Sequence, residues 1–180
     1  RTSSAASDVY KRQIYIFIMS NIRQITKDDN EKILKLLNQS FGPGRFARSV
    51  YRLREIKGRE TDFSYVNEKN NEILSSIQYF QTYLNQDLLG LLLGPLAVEP
   101  KYRGQGFGVA LVEHTIQIIK KETNYDFILV IGDNEYYKKF GFEKINHDLN
   151  FFGPVNIDKV LILDINGKIK KNKYLKMEFS

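Results

Sequence analysis

The most nearly continuous apolar run of this chain, Leu88 to Val98, carries Gly94-Pro95 inside it. It leads through Glu99-Pro100 into Arg103-Gly104-Gln105-Gly106-Phe107-Gly108. A run this apolar reads as a central strand buried on both faces. Proline has no N–H to give to a ladder, so the strand must bulge or part from a neighbour near residue 95. A sheet parted in its middle presents backbone groups that a ligand can satisfy. The alternate glycines that follow, ahead of an amphipathic segment, form a turn of exposed N–H groups at a helix N-terminus. That is the layout of a backbone cradle for a phosphate-type anion.

The segments around this centre read as a mixed α/β domain. Asn21 to Thr26 alternates Ile22 and Ile25 with polar residues and is a short strand. Thr26 or Asp28 caps a helix whose stripe is Ile33, Leu34, Leu36 and Leu37, and Phe41-Gly42-Pro43-Gly44 ends it. A second helical segment, about Arg45 to Ile56, sets Arg45, Arg48 and Arg52 on one face, best explained as a solvated face. Thr61 to Asn67 and Ile73 to Tyr83 form a hairpin across Glu68 to Glu72. After the glycine turn, Val109, Val112, Ile116 and Ile119 recur at helical spacing. Phe127 to Ile131 is a buried strand, Glu135 to Phe140 a short helix closed by Gly141, and Phe142 to Ile145 and Val160 to Ile165 are strands.

Composition limits the chemistry. A chain of 180 residues, 42% hydrophobic, is one domain with a real core. Having no cysteine, it has no thiolate nucleophile, disulfide framework or Cys-based metal site. Only His114 and His147 supply imidazoles, so no metal site is expected. The net charge of +6 is spread between the N-terminal segment, where Arg1, Lys11 and Arg12 outweigh Asp8, and the run Lys168, Lys170, Lys171, Lys173 and Lys176. A solvated tail explains that run better than nucleic-acid binding. Residues 1–18 read as a non-native or disordered leader, with the domain spanning 19–180. Ile14 to Ile18 is too short for a membrane span and reads as an edge strand or frayed end. The cytoplasm is the expected compartment, with no membrane partner.

Spacing decides which anion the glycine turn suits. A dinucleotide fingerprint needs a third glycine where Val109 or Leu111 stands, and no Gly-Lys-Ser/Thr triplet occurs for an ATP-type loop. What is present is Arg-x-x-Gly-x-Gly on Arg103, Gly106 and Gly108, preceded by Leu96-Ala97-Val98-Glu99-Pro100. A second block, Gly132-Asp133-Asn134-Glu135-Tyr136-Tyr137-Lys138-Lys139-Phe140-Gly141-Phe142, follows after one helix and one strand. The first block resembles the acetyl-CoA pyrophosphate loop of the GCN5-related N-acetyltransferase (GNAT) superfamily. The second is similar to the G-D-x-x-Y-Y-x-R-F-G-F pattern of its YhbS-like branch.

The resemblance implies a single GNAT-type α/β domain, with a mostly antiparallel central sheet parted at the Gly94–Val98 strand and flanked by helices. It implies acetyl-CoA as donor, held by Leu96, Ala97, Val98, Arg103, Gly104, Gln105, Gly106, Phe107 and Gly108. It also implies transfer of acetyl to an amine of a small molecule or peptide. Tyr137, four residues before Gly141, matches the family's general-acid tyrosine, and Glu99 is the carboxylate nearest the parted strand, a base acting directly or through water. Without cysteine, attack of the amine on the thioester is direct. The alternative is a non-catalytic acyl-CoA-binding module. Monomer and homodimer both fit. The chain departs from the pattern at Ser75 and Ser76, where glycine is common, at the short Gly132-Asp133-Asn134 link, and at Lys139, where arginine is usual. These positions bear on the acceptor more than on the cofactor.

Overall fold

A computed structural model describes residues 2–42, 61–121, 124–145, 149–150, 155–169 and 175–178. In chain order the elements are α1 (Thr2–Ser20), β1 (Ile22–Gln24), α2 (Asn30–Phe41), β2 (Tyr65–Lys69), β3 (Glu72–Leu84) and β4 (Leu88–Val98). They continue as α3 (Phe107–Ile119), β5 (Phe127–Ile131), α4 (Asn134–Tyr137), β6 (Glu143–Lys144), β7 (Leu149–Asn150), β8 (Val160–Asp164) and β9 (Leu175–Glu178). Arg45, Arg48, Arg52 and His147 lie outside the described residues.

The sheet runs β1-β2-β3-β4-β5-β8-β6, with β9 pairing β3 and β7. Its pairs are antiparallel except β4 with β5 and β7 with β9. The β2–β3 and β3–β4 hairpins close over Asn70-Asn71 and Asn85-Gln86, all four with positive φ. Two such residues match the right-handed strand twist, and asparagine tolerates that conformation well.

Among the described residues, helices pack on both faces of the sheet. The α3 stripe of Leu111, Val112, Ile116 and Ile119 packs on Tyr79, Leu91, Leu93, Ile128 and Val130. On the other face Ile33, Leu36 and Leu37 of α2 cover Val66, Ile73 and Ala97. Tyr79, fully buried, reaches from β3 to α3 and pairs its hydroxyl with Thr115 Oγ1 at 2.8 Å. At the entry to α2, Thr26 caps as expected, but it caps a turn ahead of the α-helix, whose own N-cap is Asp29. A 3₁₀ turn (Lys27–Asp29) precedes the helix. The Asp29 carboxylate accepts the Thr26 N–H at 2.8 Å and pairs with Arg23 through two guanidinium N–H groups at 2.7 and 2.8 Å.

Two further segments depart from expectation. The described part of the expected leader is helical, including Ile14 to Ile18, which was expected as an edge strand or frayed end. Tyr15 and Ile18 lie three apart on one helical face and both meet α3. Tyr15 donates to Glu113 Oε2 at 3.1 Å, and Ile18 is buried with Phe107 and Ala110. The lysine-rich tail, expected to be solvated, contains β9. Leu175 and Met177 are buried while Lys176 between them is exposed, the alternation of a half-buried strand. Lys168 pairs with the buried Asp126 at 2.7 Å.

Candidate functional site

The break expected in β4 is where Gly94-Pro95 stands. Parallel pairing with β5 runs from Gly90 opposite Phe127 to Leu93 opposite Val130 and goes no further. On the other edge Ile77 faces Leu96 and Tyr79 faces Leu93, so Gly94 and Pro95 oppose the single residue Gln78. That two-against-one count is a β-bulge. Beyond it the strand stays paired with β3 alone.

The direction of its free edge follows from one hydrogen bond. Glu99 N–H donates to Leu74 O at 2.8 Å, toward β3. Backbone groups alternate along a strand, so Ala97 also faces β3, while the N–H groups of Leu96 and Val98 turn to the side that β5 has left. The Val98 carbonyl on that side accepts a hydrogen bond from Ser40 Oγ at 3.1 Å.

Next comes the glycine turn. Gly104 and Gly106 have φ of +75° and +94°, values that only glycine adopts readily. They swing the chain from a 3₁₀ turn (Pro100–Tyr102) into α3. Ala110 N–H makes an i−4 bond to Gly106 O, so the N–H groups of Phe107, Gly108 and Val109 lie ahead of the helical ladder at the positive end of its dipole. Gly108 is needed for room: a Cβ there would lie 2.9 Å from Tyr136 Oη and 3.3 Å from Val98 Cγ2. Arg103 donates to Ser40 O at 2.9 Å, which holds a fixed cation at this turn and fastens it to the end of α2.

These elements enclose a cleft of about 560 Å³. Of the residues expected to hold a cofactor, Leu96, Ala97, Val98, Arg103, Gly104, Gly106, Phe107 and Gly108 line it. Gln105 turns its amide back to Lys101 O at 2.9 Å. The sequence reading missed Ser40 and Phe41 at the end of α2, and also Tyr102, Tyr136 and Lys139. Only the adjacent tyrosines of the second block could have pointed to Tyr136. The Lys139 ammonium stands 4.3 Å from the centre of the Tyr136 ring, placing a second cation at the cleft.

The two expected catalytic residues are not brought together. Glu99 lines a separate cavity with Lys32, Lys35 and Lys101. Tyr137 is buried beneath the cleft, edge-on to Tyr136 and Phe142. A Cβ on Gly132 would run into its ring. Burial, with a smaller contribution from Tyr136, raises the pKa of the Tyr137 phenol. Burial and the Glu113 charge push Tyr136 up to about 12. His114 is half-buried edge-on to Tyr65, and burial lowers its pKa. Among the described residues no helix is long and apolar enough to cross a membrane.

Known proteins share this architecture. Residues 30–142 match the model of the acetyltransferase (GNAT) family. The uncharacterized N-acetyltransferase YhbS of Escherichia coli K12 is 32% identical over 121 residues, 66% of this chain and 71% of that protein. The uncharacterized N-acetyltransferase MJ1207 of Methanocaldococcus jannaschii is 25% identical over 161 residues, 80% of this chain and 68% of its own. The crystal structure of E. coli YhbS in complex with CoA superposes with a TM-score of 0.75 at 26% identity, covering 88% of each chain. A Brucella melitensis GNAT-family structure, in complex with acetyl-CoA, shares the fold with a TM-score of 0.62 at 23% identity, covering 79% of this chain and 86% of its own. With a family model spanning more than half of its length and a relative of this similarity, the chain belongs to the acetyltransferase (GNAT) family.

Proposed function

We propose that the protein transfers the acetyl group of acetyl-CoA directly to an amine. The observation that carries this reading is the joining of two binding devices in one cleft. The Leu96 and Val98 amides face the gap beside β4, and the left-handed glycine turn presents the first N–H groups of α3 next to them. An open strand edge matches the amides of a pantetheine arm. A glycine turn at a helix N-terminus, with Arg103 beside it, matches a pyrophosphate. The CoA complex of E. coli YhbS, at 26% identity, supports the assignment.

In the reaction the amine nitrogen bonds to the thioester carbonyl carbon and the C–S bond breaks. Val98 N–H donates to the oxygen as negative charge gathers there. The departing thiolate takes a proton from the Tyr137 phenol, which recovers one from water. Glu99 faces the lysine-lined cavity, so the ammonium proton reaches it through water. Glu99→Gln tests that relay, and an unchanged rate removes Glu99 from the reaction.

Tyr137→Phe should lower kcat by about 10²-fold or more, the usual scale for a lost general acid. Tyr136→Phe serves as the comparison, because Tyr136 borders the cleft. If Tyr136→Phe shows the loss and Tyr137→Phe does not, the proton comes from Tyr136. The pH profile has a defined sign. A general acid must be protonated, and burial raises the Tyr137 pKa above its usual 10. Thus kcat/KM should rise as the amine loses its proton and show no alkaline fall up to about pH 10. A limb descending well below that pH would contradict a phenol as the acid.

A further inference from the structure

Gln78 is the single residue opposite Gly94-Pro95, and its side chain lies on the face covered by α2. It is 5% exposed, and its Oε1 has no hydrogen-bond partner among the described residues. Folded proteins rarely leave a buried carboxamide oxygen unsatisfied, and such a group marks a place where something outside the chain completes it. Gln78 lines a cavity of about 180 Å³ that Lys27 and Asp62 also line, one cation and one anion. Three other polar side chains that line it are already engaged: Thr26 Oγ1 donates to Asp29 Oδ2 at 3.0 Å, Thr61 Oγ1 donates to Tyr79 O at 3.1 Å, and Ser64 Oγ accepts Tyr79 N–H at 3.2 Å. Gln78, the two charges and the Asn30 carboxamide are left to meet a ligand.

We infer that this cavity receives the acetyl acceptor, and that the acceptor is a small α-amino acid. Its ammonium group meets Gln78 Oε1 and the Asp62 carboxylate, and its own carboxylate meets Lys27. The inference rests on the acetyl-transfer reading above. Charge favours a zwitterion, because a lone cation would be repelled by Lys27 and a lone anion by Asp62. Size agrees. At about 180 Å³ the cavity has room for a small zwitterion. Gln78 lies one strand, about 4.8 Å, from the Gly94-Pro95 bulge at which β4 parts from β5.

The test is thiol release from acetyl-CoA with glycine, alanine and serine, each compared with its amide, which keeps the ammonium group and loses the carboxylate. At least one free amino acid should exceed its amide in kcat/KM tenfold or more, and Lys27→Ala should abolish that ratio. Gln78→Leu should raise the amino-acid KM at least tenfold while leaving the acetyl-CoA-induced rise in melting temperature unchanged. Asp62→Asn, at an exposed position, should raise KM in the same way and decides the matter if Gln78→Leu does not fold. Amides that match or exceed the free acids, or variants that keep KM within twofold, overturn the inference. If acetyl-CoA gives the wild-type protein no thermal shift, it is the acetyltransferase reading that has failed. Alanine binding, followed by NMR without acetyl-CoA and compared with Gln78→Leu, then decides the cavity by itself.

Discussion

Gly106→Glu should abolish the rise in melting temperature that acetyl-CoA gives the wild-type protein, and with it all measurable turnover. Gly106 has φ of +94°, so any side chain there carries backbone strain of about 1–2 kcal/mol. Its would-be Cβ meets nothing nearer than Ile18 Cδ1 at 3.8 Å, so packing adds little to that cost. In a domain of this size the strain lowers the melting temperature by about 2–8 °C. The larger effect is electrostatic. A carboxylate would stand at the N-terminus of α3, where the turn gathers N–H groups and Arg103 and where the proposed function seats a dianionic pyrophosphate. Gly106→Ala separates the two contributions, because it carries the strain without the charge. It should lose the same few degrees and keep most of the acetyl-CoA shift. If the glutamate variant still responds to saturating acetyl-CoA as the wild type does, the pyrophosphate does not bind at this turn.

The largest effect on stability is expected at Asp29. Its carboxylate is 3% exposed, accepts the Thr26 N–H, and pairs through both oxygens with Arg23, which also donates to Glu68 Oε2 at 2.7 Å. Breaking a buried pair costs about 3–5 kcal/mol, because the remaining charge stays buried without its counterion. Arg23 is 36% exposed and can turn to water, which reduces the figure to about 2 kcal/mol. Asp29→Ala should therefore melt about 4–8 °C lower. The pH dependence follows from the same bonds. Hydrogen bonding from Arg23, helped by Thr26, holds the Asp29 carboxyl far below its usual 3.8. The unfolded chain binds that proton first, so the stabilisation is complete above about pH 5 and is lost as pH falls through 3.8 and lower. The melting temperature of the wild type should fall more steeply between about pH 4 and pH 2 than that of Asp29→Asn. Equal slopes would mean that other carboxylates dominate acid unfolding.

The centre of the fold was legible because its signals are local and physical. A proline inside an apolar run can only disturb a ladder, and the structure has the bulge and the end of β4–β5 pairing at that point. The glycine turn at the start of α3 was equally plain from its spacing. What escaped the sequence depends on contacts between distant residues. Ser40 lies 58 residues from the Val98 carbonyl it bonds, and nothing around Ser40 signals that meeting. Tyr136 and Tyr137 are neighbours in the chain, yet one borders the cleft and the other is buried against Phe142. One residue of helical rotation separates them, and only packing decides which ring goes inside. The tail was misread for a different reason. Lysines at 168, 170, 171, 173 and 176 mask a strand in which Leu175 and Met177 alternate inward. Ile14 to Ile18 looked like an edge strand because an isolated apolar run of five has no visible period; Ile18 meeting Phe107 and Ala110 made it the end of a helix.

The bond from Ser40 Oγ to the Val98 carbonyl gives the end of β4 a polarity. One lone pair of that oxygen is taken by Ser40, and the donor that residue 98 turns toward the cleft is its N–H. Such an end recognises oxygen lone pairs and does not recognise what lies on the far side of the carbonyl carbon. Acetyl, propionyl and longer acyl thioesters present the same oxygen to it. On the proposed reading, discrimination by acyl length falls to the side chains bordering the cleft, Phe41 and Tyr136 among them, which can change without altering the strand end that would hold the thioester.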